Sequence, residues 1–64
     1  MTLDTPEQFA MMACALEDMH DVTIQGQQAD NPPELQLGLL ACLKLGLLAL
    51  GERADAMGVA IHAR

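Results

Sequence analysis

The side chains able to do chemistry in this chain are two cysteines, Cys14 and Cys42, two histidines, His20 and His62, and an acidic cluster, Glu17-Asp18-Asp21. The cysteines are the first pair to weigh. Folding the chain back on itself about residue 28 would set Cys14 and Cys42 at nearly the same height, where they could form a redox staple between two helices. The plainer reading is two small apolar side chains buried in a helix interface, the common fate of free cysteine. Adding the histidines completes a Cys2His2 inventory, but Cys14-x5-His20 and Cys42-x19-His62 fit no zinc spacing. No metal and no cofactor are expected.

Enzyme constellations are missing as well. The chain contains no serine, no glycine-rich phosphate loop ahead of a helix and no His-Glu-x-x-His run. Glu17, Asp18 and Asp21 fall at helical spacing, where solvation accounts for them, or docking to a basic patch on another protein. The expectation is a protein without catalysis.

Composition narrows the class further. Sixty-four residues with 52% apolar content are too greasy for a disordered segment, and Phe9 is the sole aromatic. The core must therefore be built from Leu, Met and Ala. The net charge is −6, with Asp4, Glu7, Glu17, Asp18, Asp21, Asp30 and Glu34 unopposed in the first thirty-four residues. An acidic half repels phosphate backbones and one aromatic gives no stacking platform, so nucleic acid is not an expected partner. The opening MTLDTPEQ lacks the basic and apolar regions of a secretory signal, which makes the cytoplasm the expected compartment.

The elements that must position these residues are two helices, one about 5–25 and one about 32–62, joined by a connector about 26–31. Thr5-Pro6-Glu7-Gln8 reads as the first start signal, with Thr5 as cap, Gln8 closing a capping box and Asp4 as a competing cap. Phe9, Met12, Ala13, Leu16, Met19 and His20 then recur at helical spacing. Val22-Thr23-Ile24 has no partner strand, so it extends the helix to a stop at Gly26, which suits a left-handed cap. Asn31-Pro32-Pro33-Glu34 repeats the start signal, with Asn31 as cap.

The second helix carries the chain's dominant feature, the seventeen residues from Leu35 to Gly51, interrupted by strongly polar side chains only at Gln36 and Lys44. Leu40, Leu43, Leu47, Leu50, Ala54, Met57 and Ile61 alternate at spacings of three and four, the seam of a helix packed lengthwise on another. Leu35, Leu39, Cys42, Gly46 and Ala49 form a second flank, and Leu37, Ala41, Leu45 and Leu48 a third. A helix apolar all round must be covered all round, and the shorter first helix covers one side only.

The expected fold is therefore all-α: a single antiparallel two-helix hairpin spanning 1–64, dimerising into a four-helix bundle. Leu35, Leu39, Leu40, Leu43, Leu47 and Leu50 are expected in the core and dimer interface, with Gly38, Ala41, Cys42, Gly46 and Ala49 allowing close approach at the crossing. Ala54, Met57 and Ile61, on the part of the seam expected to lie beyond the first helix, together with Glu17, Asp18 and Asp21, are the expected partner-binding surface. An aspartate at Leu43 or Leu47 would be buried unpaired in that seam.

The function this architecture suggests is a non-enzymatic interaction module, an inhibitor, adaptor or chaperone-type regulator of another protein. In size and helical outline the chain resembles the small hairpin co-chaperones of type III secretion and the short acidic inhibitors made by phages; the likeness is of architecture alone and assigns no residue. Two other readings are a structural oligomerisation subunit and a membrane-active peptide. Against the last, Lys44 in mid-run costs about 2.5–3.5 kcal/mol on insertion, and no basic cluster flanks the run.

Overall fold

The structure is a computed structural model that describes residues 4–63. Two helices, α1 (Thr5–Gly26) and α2 (Pro33–His62), pack against each other as a hairpin about 50 Å long and 17 by 16 Å across.

Asp4, not Thr5, caps α1. Its carboxylate accepts a hydrogen bond from the Glu7 backbone N–H at 2.9 Å, while its carbonyl accepts from Gln8 N–H at 3.0 Å. An ionised acceptor at the positive end of the helix outcompetes the neighbouring hydroxyl. Asp4→Ala should therefore lower stability by about 1 kcal/mol, read from the midpoint of urea unfolding.

The β-branched triplet is helical, as expected, and Thr23 Oγ1 donates to the His20 carbonyl at 2.6 Å, the local bond that lets threonine sit inside a helix. Gly26 is the last helical residue rather than a left-handed cap, and no described residue has positive φ. Gln27, in right-handed helical conformation, ends α1 instead.

Asn31 also departs from its expected role. The backbone cap of α2 is Pro32, with no side-chain hydrogen bond, and Asn31 Nδ2 donates backward to the Gln25 carbonyl at 2.7 Å. It thus adds a side-chain donor to a helix-end carbonyl that also accepts from the Gln28 N–H at 3.4 Å. Pro33, at the first position of α2, gives up a backbone donor that would have had no partner there.

This connector sets a register different from a fold about residue 28. Gly26 shares a cleft with Leu39, Gly46 lies against Met19, and Arg53 Nη1 lies 3.8 Å from Met11 Sδ. The first turns of α2, from Pro33 to about Gly38, consequently project past the end of α1 by roughly 9 Å. The opposite end of α2 is drawn down onto the start of α1, where Phe9 and Met12 line a cleft with Ala54, Met57 and Ile61.

The core that results is small. Met19 and Met57, 8% and 6% exposed, are the only buried hydrophobic side chains among the described residues. Met12, Ala15 and Val22 of α1 and Leu39, Leu43, Gly46 and Leu50 of α2 are half-buried around them. Flexible thioethers suit a seam in which one helix presents a glycine to the other.

Candidate functional site

The cysteines separate. Both are exposed and free. With Met19 opposite Gly46, Cys42 stands level with Thr23, nine residues from Cys14 and about 13 Å from it along the axis. No disulfide can span that distance, and neither residue is the buried apolar side chain expected of it. Among the described residues no three His, Cys, Asp or Glu side chains gather as metal ligands. His20 and His62 are exposed.

The geometry that stands out is instead apolar surface without cover. At 100° per residue, the half-buried positions place the contact seam of α2 along Leu39, Leu43, Gly46, Leu50 and Met57, and that of α1 along Thr5, Gln8, Met12, Ala15, Met19 and Val22. The stripe legible in the sequence, Leu40 to Ile61 by threes and fours, is turned about 45° away from that seam. Leu43, Leu50 and Met57 belong to both, whereas Leu40 and Leu47 remain 61% and 53% exposed.

A matching rotation occurs on α1. Phe9, Met12, Leu16, Met19 and Thr23 recur by threes and fours, and Phe9 and Leu16, 59% and 51% exposed, lie off the contact seam. Two clefts show that the stripes turn to the same side of the hairpin. One joins Phe9 to Ala54, Gly58 and Ile61; the other joins Thr23 to Gln36 and Leu40. Sequence reasoning placed Phe9 and Leu16 on the apolar stripe of the first helix but not in a site. Their seven-residue spacing, paralleling that of Leu40, Leu47, Ala54 and Ile61, was the available signal.

The opposite edge of the hairpin is mixed. Met11, Cys14 and Asp18 line a cleft there with Gly46, Ala49 and Arg53. Directly away from α1 run Leu37, Ala41, Leu45 and Leu48, with Leu37 and Leu45 67% and 68% exposed. Farther along that face the helix turns polar at Glu52 and Asp55.

Of the residues expected to bind a partner, Ala54 and Ile61 are exposed, but Met57 is one of the two buried among the described residues, because the register brings α1 over the end of α2. The uncovered part of α2 is its N-terminal overhang, which includes Leu35 and Leu37. Glu17, Asp18 and Asp21 are exposed on α1. Glu17→Lys combined with Asp18→Lys should leave helicity and unfolding midpoint within about 0.5 kcal/mol of the parent; loss of circular dichroism would contradict that placement.

One further property bears on α2. An eighteen-residue window within it has mean hydropathy 1.6 and none of it is buried, so by length and composition it qualifies as a membrane span. Compared with protein-family models, with curated proteins and with solved structures, the chain matches none.

Proposed function

We propose that the chain is a non-enzymatic, cytoplasmic interaction module, a hairpin that dimerises into a four-helix bundle and acts by packing its helices on a partner protein. One observation carries this reading: the hairpin exposes more surface than a compact monomer of its mass does. Its accessible surface is 5150 Å² for a 6.8 kDa chain, against about 3,950 Å² for a compact monomer of that mass. Folding alone thus buries only roughly half of the unfolded chain's surface, where about 60% is usual for a small domain. The excess of about 1,200 Å² is somewhat larger than the roughly 800 Å² that each partner contributes to a standard interface.

Inhibitor, adaptor and chaperone roles all use such a surface, and the acids on α1 would meet a basic surface on the target and speed its encounter. Mass action gives the test. The unfolding midpoint of a dimer rises with chain concentration, by several degrees over a hundredfold range. A midpoint independent of concentration would contradict the proposal.

The unburied apolar window of α2 favours a second reading, insertion in a membrane. Lys44 weighs against it. Co-sedimentation with neutral lipid vesicles separates the two: the chain should stay in solution, and α2 becoming protected from protease in the vesicle pellet would put insertion first.

A further inference from the structure

We propose that the second copy packs on one particular side of the hairpin, the side carrying Phe9 and Leu16 of α1 and Leu40, Leu47, Ala54 and Ile61 of α2. This rests on the dimerisation proposed above and adds which surface is used.

In a four-helix bundle each helix touches two neighbours, so its apolar stripe must bisect the directions to them, about 45° from either. Both helices here have their stripe turned by about that angle from the contact seam within the hairpin, and both turn to the same side. A hairpin stable alone would aim its stripes straight at each other. The exposed leucines Leu40 and Leu47 and the sole aromatic, Phe9, are then the unfilled half of a core whose other half is built around Met19 and Met57.

Charge points to the same surface. The two stripes contain no charged residue from Phe9 to Thr23 or from Leu40 to Ile61; Lys44, beside Leu40 and Leu47, and His20, beside Phe9 and Leu16, are exposed at their outer rims. The opposite edge carries Asp18 and Arg53 in its cleft, so a copy seated there would bury ions. The outward stripe of Leu37, Leu45 and Leu48 lies on one helix only, and a copy on it would leave four helices in a row with Phe9 and Leu16 still in water. The excess area is larger than the roughly 800 Å² that each partner contributes to a standard interface.

The small-residue crossing through Gly38, Ala41, Cys42, Gly46 and Ala49 is the competing geometry, and it makes a different mark: Cys42 would lie beside its own copy. The test compares Leu47→Glu and Phe9→Glu with Leu45→Glu, followed by sedimentation equilibrium and circular dichroism. Because Leu47, Phe9 and Leu45 are all exposed in the hairpin, a difference among them reports the face that the copy covers.

Leu47→Glu and Phe9→Glu should each raise the dimer dissociation constant by about 100-fold or more, or lose helicity along with the dimer, while Leu45→Glu keeps both. Leu45→Glu dissociating with Leu47→Glu unaffected would overturn the choice of face and leave dimerisation standing. A parent chain that is monomeric at every concentration would instead overturn the dimerisation itself. Copper–phenanthroline oxidation of the parent in air provides the second measurement. It should give little Cys42-linked dimer, and rapid, complete crosslinking through Cys42 would overturn the face.

Discussion

Met19→Asp is expected to abolish the folded hairpin, giving a circular dichroism spectrum without helical minima at room temperature. Met19 is 8% exposed and lies against Gly46, so an aspartate there would be held almost wholly out of water. Removing the thioether from a buried site costs about 2–5 kcal/mol, and an unpaired carboxylate adds several more unless it takes up a proton. Chains of this size rarely hold more than about 3–5 kcal/mol in a single core. The loss therefore exceeds what the hairpin alone has. Retention of full helicity by this variant would mean that Met19 is not the keystone of the seam.

The second large effect is a contrast between glycines on the same helix. A methyl group built at Gly46 would stand 3.1 Å from Met19 Sδ and 3.2 Å from Met19 Cγ, whereas one at Gly38 would meet nothing within 4 Å. Gly46→Leu should therefore force α1 and α2 apart, at a cost of about 1–3 kcal/mol from overpacking. Gly38→Ala should stabilise the chain by about 1 kcal/mol, the difference in helix propensity between the two residues. Urea titration of both variants reads the result. Equal and opposite shifts in midpoint are not required, but the signs are: Gly46→Leu down, Gly38→Ala up.

Both predictions depend on a register that the chain's pattern alone did not reveal. The two helices, their approximate limits and the helical reading of Val22-Thr23-Ile24 were legible because proline, cap residues and apolar spacing act locally. The choice of Asp4 over Thr5 was within one residue and turned on charge at the helix end. The backward bond from Asn31 to Gln25 was not legible, since it joins two elements whose approach the local signals do not specify.

With the register of the two helices come the larger differences. The overhang lies at the N-terminal turns of α2 instead of its far end, so Met57 is buried and Leu35 and Leu37 are not. Cys14 and Cys42 are set about 13 Å apart rather than level. The heptad stripe of α2 was visible in the sequence, and what the structure adds is its direction. Leu47, expected inside, is half exposed, so the effect of a charge at that position shifts from the hairpin to the proposed dimer, while Leu43→Asp retains its effect on the hairpin. A stripe only half covered by its own chain is what carries the proposal of a second copy.

The central claim is that the hairpin is half of a closed particle, and the most direct test is the solution mass of the purified chain without detergent. Light scattering after size exclusion, run at several concentrations, should give a discrete species of twice the 6.8 kDa chain mass. A helical particle of one chain mass at every concentration, or material that disperses only in detergent, would contradict it.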